Sequence, residues 1–463
     1  MPRVSSPTLT WPGRSWFPGE RPPAVVSSRA VERCGDAGDR VISGDALDVA
    51  DALHGEGHAG TYDLVYLDPP FLSHTDYLHE ARLDGPADGR TRRSVAYDDR
   101  WGLAGAGAYL DMLGPRLEAL ARLVSATGTL WVHLDWRAAY LVRVLLDEVM
   151  GRDRFINEIV WRRAPNLGRQ ATSGQFGRTV DTIVVYGGPR AKLVPPTRLE
   201  PIDDKATRWD AEGRPFTTAP RGDYTDASIA RLDAEGRVYR SPTGRIYIKY
   251  FLVKDPEGVW CRERRVDTLW TDVPPLRHAS PRERTGFPTQ KPRPLLERIV
   301  RCATPEGGLV LDAFAGSGTT GEAAHALGRR FVLGDAGAIA ITTTRARLLR
   351  AGAGFTVERC GAGGEASAPV PEITVSRASP AELALTLIAP REPLAWAIDT
   401  DYREDRAFNC AWHSERQLGN APLPVRRDAR VPVNGARLGV RVYDDDGSVG
   451  TFVSGVQGVM GTP

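Results

Sequence analysis

Leu309-Val310-Leu311-Asp312-Ala313-Phe314-Ala315-Gly316-Ser317-Gly318-Thr319-Thr320-Gly321 is an apolar run that enters a glycine-rich turn and leaves it as an Ala-rich helix. A strand, a turn whose glycines let the backbone approach closely, and a helix make a loop for a nucleotide-like ligand. Gly316, Gly318 and Gly321 satisfy G-x-G-x-x-G, and Asp335 closes the next apolar run 19 residues after Gly316, which fits a dinucleotide fingerprint. An ATP phosphate loop fits less well, because no Gly-Lys-Ser/Thr follows. S-adenosylmethionine is a third reading: its ribose hydroxyls want an acid where Asp335 lies, and Asp312 can face its methionine ammonium. On this stretch alone, these ligands stand beside a glycine turn that holds none.

Outward from the turn, strand and helix periods alternate. A helix over Leu295, Leu296, Ile299 and Val300 precedes it, and the strand Arg330–Asp335 follows. Far upstream the same pattern appears at Arg40–Ser43, at Asp63–Leu67, and in Leu110, Leu113, Leu117, Leu120 and Val124 at helical spacing. It continues in Thr129–Leu134 and in a helical period over Tyr140–Val149. The β-α alternation predicts a mostly parallel sheet. Between the two blocks, residues 151–290 are rich in Arg, Pro and Gly and hold 25 Lys+Arg against 18 Asp+Glu, or +7. A hairpin is expected at Ser241–Gly244.

These readings divide the chain into an irregular arm (1–38), one half of an α/β domain (39–162), a basic insert (163–285), the other half of that domain (286–354), and a separate, mostly β domain (369–463) beyond a Gly/Ala linker. The last carries 11 Lys+Arg against 14 Asp+Glu over 351–463, so it is no candidate for the main phosphate grip. With 463 residues and 41% hydrophobic residues the chain is globular and longer than one ordinary domain. Its 60 Lys+Arg against 58 Asp+Glu leave a formal charge of +2, so any nucleic-acid footprint is local.

The second informative stretch is Tyr62-Asp63-Leu64-Val65-Tyr66-Leu67-Asp68-Pro69-Pro70-Phe71. It ends a strand with a carboxylate, two prolines and a ring, at the strand end where open α/β sheets bind ligands. Asp68 and the Pro69 carbonyl can accept both N–H bonds of a planar exocyclic amine, while Phe71 stacks on the attached ring. Positioning then does most of the chemical work. Taken alone, the corner reads first as a strand ended by Asp-Pro turn chemistry; its coupling to the glycine turn reverses that preference and favours a site.

At this point the chain resembles the β class of amino-group DNA methyltransferases, which act on adenine N6 or cytosine N4. The motifs are Gly44-Asp45-Ala46-Leu47, Asp68-Pro69-Pro70-Phe71, Tyr97-Asp98-Asp99-Arg100-Trp101, Asn157-Glu158-Ile159-Val160-Trp161, Pro288-Thr289-Gln290-Lys291-Pro292 and Phe314-Ala315-Gly316-Ser317-Gly318-Thr319-Thr320. The resemblance covers about residues 40–350. It implies a Rossmann-like fold with circularly ordered motifs, an inserted target-recognition region, and S-adenosylmethionine as cofactor. Asp68, Pro69, Pro70 and Phe71 would hold a base flipped from duplex DNA. Asp312, Phe314, Gly316, Ser317, Gly318, Thr319 and Asp335 would contact the cofactor, with Thr289, Gln290 and Lys291 near its methionine end and Asp45 near its adenine. Asp68, where cytosine-N4 members more often carry Ser, favours adenine. Phe71 replaces the commoner Tyr but keeps an aromatic face, and Val332-Leu333-Gly334-Asp335 departs from the usual Ile-Gly-Ile-Asp wording.

The basic insert then supplies phosphate and base contacts, for which Arg162, Arg163, Arg262, Arg264 and Arg265 are the candidates. A nicotinamide-dependent oxidoreductase is the rival that rests on glycine spacing alone. A DNA-recognition subunit that needs restriction or phage-defence partners is the non-enzymatic rival, and a homodimer is a further candidate assembly. Five scattered cysteines argue against a disulfide framework or zinc site, and no metal is expected. No stretch reaches membrane-spanning length, and the Pro/Gly-broken start lacks a signal-peptide core, so a cytoplasmic setting is expected. His133 and His325 read as structural, Trp131, Trp136 and Trp396 as core, and Asp444–Gly447 as a hairpin turn.

Overall fold

The computed structural model describes residues 8–35, 38–82, 91–165, 174, 176–361, 368–390, 393–416, 424–444 and 446–456. Met1–Val194 with Thr268–Pro463 form one compact unit, and Pro195–Asp267 form another. In the first unit, eleven strands make one sheet: β1 (Ser28–Cys34), β2 (Arg40–Ser43), β3 (Tyr62–Leu67), β4 (Val124–Leu134), β5 (Phe155–Arg162), β6 (Val180–Gly187), β7 (Leu269–Trp270), β8 (Leu309–Asp312), β9 (Arg330–Asp335), β10 (Phe355–Cys360) and β11 (Phe408–Asn409). Their order is β7-β5-β6-β4-β3-β8-β9-β2-β10-β1-β11.

Strands β4, β3, β8, β9, β2 and β10 run parallel to their neighbours in this series. The centre reads as continuous apolar sequence because both faces are covered: Leu64, Val65, Tyr66 and Leu67 are at most 1% exposed. Helices α1 (Ala46–Gly55), α2 (Gly105–Ala121), α3 (Ala139–Met150), α4 (Arg293–Ala303), α5 (Thr319–Ala326) and α6 (Ala338–Arg350) flank the sheet. The Leu110, Leu113, Leu117 and Leu120 stripe of α2 is buried, as its period predicts.

The domain organisation differs from the sequence reading in three places, the arm, the insert and the C-terminal region. The arm is not irregular throughout: Ser28–Cys34 is a strand of the main sheet, paired antiparallel with β10. Before it, Trp16 is buried and its indole donates to Glu118 at 3.1 Å. The independent part of the insert is narrower than 163–285, because β6 pairs antiparallel with both β4 and β5 inside the main sheet. That pairing, set by contacts remote in sequence, also makes the sheet mixed rather than wholly parallel.

The smaller unit is a sheet of Thr197–Pro201, Arg208–Trp209, Pro215–Pro220, Val238–Arg240, Ile246–Lys254 and Trp260–Arg265. Its helix Asp226–Ala234 packs Ile229 and Leu232 on Val238 and Ile248. The Ser241–Gly244 turn joins an antiparallel pair, as expected.

The described residues of 369–463 form strands in two sheets around Trp396, Leu383, Leu385 and Val440, with a hairpin at Asp444–Gly447. They do not stand apart from the α/β core: β11 pairs with β1, and Arg345 of α6 meets Glu32 at 2.7 Å, both side chains 2% exposed. Tyr443 donates its hydroxyl to the same Glu32 at 2.7 Å. Trp131 and Trp396 are core residues, whereas Trp136 is 42% exposed with the Arg137 and Arg178 guanidiniums over its ring at 4.9 and 3.8 Å. Periodicity cannot reveal this, since Trp136 lies just beyond the end of β4. Among the described residues, no helix is long and apolar enough to cross a membrane.

Candidate active site

Four adjacent parallel strands, β3, β8, β9 and β2, end on the same edge of the sheet, and an acid stands at or just beyond each end: Asp68, Asp312, Asp335 and Asp45. All four line one cleft with about 1140 Å³ of empty space, partly open to solvent. Its other walls include Tyr66, Pro70, Tyr97, Trp101, Arg116, Phe287, Thr289, Gln290, Lys291, Phe314, Gly316, Ser317 and Thr319. Crevices of this kind are where α/β sheets bind ligands.

The glycine turn has the conformation its composition requires. Gly316 and Gly318 adopt φ of 52° and 74°, and a Cβ on Gly318 would lie 2.8 Å from the Thr344 side chain. Gly318 caps the start of α5 from behind the cleft wall. Asp312 accepts from the Phe314 N–H at 3.0 Å and the Thr320 hydroxyl at 2.6 Å. Asp335 accepts from the Gly316 and Gly337 N–H groups at 2.9 and 2.8 Å. Burial pushes Asp312 up to about 7 and Asp335 up to about 6. Among the described residues neither is paired with a basic side chain. A buried and a half-buried acid without a counterion suit a cationic ligand, and S-adenosylmethionine, which carries an ammonium and a sulfonium, fits.

Asp45 caps α1, accepting from Leu47 N–H at 2.9 Å, and pairs with Arg116 at 2.7 Å. Gln290 is committed to its own loop: its carbonyl accepts from Thr285 N–H at 2.9 Å, and its amide donates to the Glu283 carbonyl at 2.8 Å. Thr289, at φ 60°, donates to the Pro288 carbonyl at 2.6 Å and lies 3.2 Å from the Tyr97 hydroxyl. Thr319 reaches the Lys291 carbonyl at 3.3 Å, tying this loop to the glycine turn.

On the other side of the cleft, the Lys291 ammonium donates to Asp68 Oδ2 at 2.5 Å and to the Thr289 carbonyl at 3.3 Å, and lies 4.9 Å over the Phe71 ring. Asp68 Oδ1 is buried and has no hydrogen-bond partner among the described residues. Pro69 is buried behind it, and Pro70 lines the cleft. Leu72, after Phe71, is held at φ 59°. Its N–H donates to Asp99 Oδ1 at 3.2 Å, that of Ser73 donates to Asp99 Oδ2 at 2.6 Å, and the Trp101 indole donates to Asp99 Oδ1 at 2.7 Å.

Asp99, fully buried, is therefore the clamp that shapes the corner. The sequence reading quoted it within Tyr97–Trp101 but assigned it no role, and it missed Arg116. A buried-type Asp flanked by aromatic residues was the available signal.

The predicted DNA contacts fall in both units. Arg162, exposed, and Arg163 close the end of β5, where Arg163 pairs with Asp181 at 2.7 Å. Arg262, Arg264 and Arg265 lie in the strand Trp260–Arg265 of the insert. Arg262 stacks over Tyr250 at 3.5 Å, Arg264 meets Glu200 at 3.5 Å, and Arg265 is exposed.

The Type II methyltransferase M.EcaI of Enterobacter cloacae is 28% identical over 311 residues, covering 61% of this chain and 64% of that protein. The Mod subunit of the StyLTI Type III restriction-modification enzyme of Salmonella typhimurium is 25% identical over 331 residues, covering 62% of this chain and 49% of the subunit. The chain thus spans less than two thirds of either relative. DNA adenine methyltransferase YhdJ of Escherichia coli is 40% identical over 109 residues, 23% of this chain and 36% of that one. The crystal structure of the M1.HpyAVI–SAM complex aligns with 67% of this chain and 98% of its own at 17% identity and a TM-score of 0.38. The family model for DNA methylases, N6_N4_Mtase, matches residues 62–343, more than half of the chain. By that match the protein belongs to the N6/N4 DNA methylase family.

Proposed function

We propose that the protein transfers a methyl group from S-adenosylmethionine to the exocyclic N6 amine of adenine in duplex DNA, with the base flipped into the cleft. The observation that carries this reading is the orphaned Asp68 Oδ1, a buried acceptor without a donor in the cleft that holds Asp312 and Asp335. A buried, unsatisfied oxygen costs about 1–3 kcal/mol, and an incoming N–H donor removes that cost.

Asp312 and Asp335 would hold the cofactor, which, when bound, supplies an electrophilic methyl group. Asp68 and the Pro69 carbonyl accept the two N–H bonds of the amine and aim its lone pair out of the ring plane, while Phe71 stacks on the base. The amine would gain an N–C bond as the methyl–sulfur bond breaks and a neutral thioether leaves, and Asp68 Oδ1 takes up the proton that the amine must lose and returns it to solvent. Lys291 stays on Asp68 Oδ2 and leaves Oδ1 for the amine. Asp68 and the name of the adenine methyltransferase relative support adenine over cytosine. Arg162 and Arg265, both exposed and without an ion pair among the described residues, are the first candidates for phosphate contacts. The names of the Type II and Type III relatives support a place in restriction-modification.

The test incubates the chain with labelled S-adenosylmethionine and unmethylated DNA, then identifies the labelled nucleoside by mass spectrometry. Label in N6-methyladenine is expected. Label in N4-methylcytosine overturns the base assignment but keeps the chemistry, and no label overturns the reading for the isolated chain.

A further inference from the structure

Phe71, the residue taken above to stack on the flipped base, sits on a loop beyond β3 and needs a backing to hold its plane. The His133 imidazole of β4 provides one: the ring centroids are 6.1 Å apart and the planes differ by 22°. His133 is fully buried, and the Tyr66 and Trp161 rings meet it edge-on at 85° and 87°. Both of its nitrogens are engaged. Nε2 lies 3.2 Å from Asp181 Oδ2, and Nδ1 lies 3.0 Å from the Tyr66 hydroxyl. The second Asp181 oxygen takes the Arg163 guanidinium at 2.7 Å.

Burial works to raise the Asp181 carboxyl, but the His133 hydrogen bond and the nearby charges of Lys291 and Arg163 hold it below the usual carboxylate range. It therefore stays an acceptor, keeps a hydrogen on Nε2 and leaves Nδ1 for Tyr66. An imidazole pinned at both nitrogens and boxed by two edge-on rings cannot rotate. Such a ring makes a rigid support rather than filler.

We propose that His133 is a positioning residue for base stacking: the Arg163–Asp181–His133 chain fixes the plane of Phe71 so that the flipped base meets a ready-made face. The inference rests on the reading of Phe71 as the base-stacking ring. It also gives Arg163 a different task from the phosphate contact predicted for it. A histidine that merely fills the core would affect folding and nothing specific to the base.

The experiment uses the full chain and compares wild type, His133→Phe, His133→Asn and Asp181→Asn. The readouts are kcat and KM for unmethylated DNA, the S-adenosylmethionine Kd, and the fluorescence of a 2-aminopurine placed at the target base of a site methylated by wild type. A misplaced reacting group costs up to about 100-fold, so His133→Asn, which removes the stacking ring, should lower kcat by about 10- to 100-fold. It should quench 2-aminopurine less than wild type does and leave the cofactor Kd within about twofold. His133→Phe, which keeps an aromatic plane, should recover most of the quenching.

Wild-type kcat and quenching in a folded His133→Asn overturn the proposal, as does a loss shared equally by cofactor binding. If His133→Asn does not fold, Asp181→Asn decides: an altered 2-aminopurine signal at unchanged cofactor Kd supports the chain, and an unaltered one overturns it. A wild-type chain that methylates no DNA overturns the functional reading itself, a different result from an active wild type with an indifferent His133.

Discussion

The glycine-turn side and the Asp-Pro-Pro-Phe side of the cleft are built on adjacent strands and end alike in carboxylates, yet their acids are finished differently. All four oxygens of Asp312 and Asp335 receive hydrogen bonds from residues of their own turns. Among the described residues, Asp68 has one oxygen on Lys291 and the other without a partner. The left-handed positions of the turn are glycines, whereas the corner around Asp68 places Leu72 and Thr289 at φ 59° and 60°. The turn is thus preformed by local chemistry. The corner is shaped by residues outside it, Asp99 and Lys291, which leave Asp68 Oδ1 for a substrate amine.

The sharpest break in this comparison is Asp68→Ala. Loss of a group that positions charge in the transition state costs about 10²–10³-fold, so methyl incorporation should fall by at least that factor while calorimetry finds S-adenosylmethionine bound as before. Retained activity would end the base-holding role.

Gly318→Ala probes the other side. The left-handed φ and the 2.8 Å approach to Thr344 should lower stability by about 1–3 kcal/mol. The loss should appear as a fall in melting temperature, and an unchanged melt would show that the turn is not preformed. Asp99→Ala leaves the Leu72 and Ser73 N–H groups without their acceptor, a cost of about 1–3 kcal/mol. Steady-state kinetics should show kcat lowered by about tenfold at constant cofactor affinity; an equal loss in cofactor affinity would merge the two sides into one unit.

The gentlest test is pH. With Asp312 raised to about 7 and Asp335 to about 6, the folded chain takes up protons that the unfolded chain has already released. Their contribution to stability is therefore full below the ordinary carboxylate range and is lost as pH rises through 6 to 7. A cationic ligand prefers the ionised acids, so cofactor affinity should rise by about five- to tenfold from pH 6 to pH 8. A flat or falling profile would remove the electrostatic argument for the cofactor side.

Legibility followed the range of the interactions. The strand Leu309–Asp312, the glycine turn and Asp335 were readable because strand period, left-handed glycines and a strand-end acid are encoded within about 30 residues of chain. The Asp68 corner was readable for the same reason. What could not be read depends on partners far away: the Arg116 clasp on Asp45, the Lys291 pairing with Asp68, and the Arg163 commitment to Asp181. Trp136 failed as a core residue because it falls one step past Asp135 at the rim, where alternation no longer assigns a face. The arm failed because Pro and Gly before Ser28 hid a strand whose partners lie at residues 355–360 and 408–409.

That strand has a consequence for how the chain reaches its final form. The Ser28 hydroxyl finds its acceptor on Glu358, 330 positions later, and β1 sits between β10 and β11. During synthesis at about 5–20 residues per second, Ser28–Cys34 waits on the order of tens of seconds for the segment that will flank it. Nascent chains cut short before residue 355 would carry that segment as an unsatisfied edge, open to pairing with a neighbour's strand. The pairing of early with late residues thus delays completion of the sheet, since its last rows of hydrogen bonds form only when residues 355–360 and 408–409 have left the ribosome.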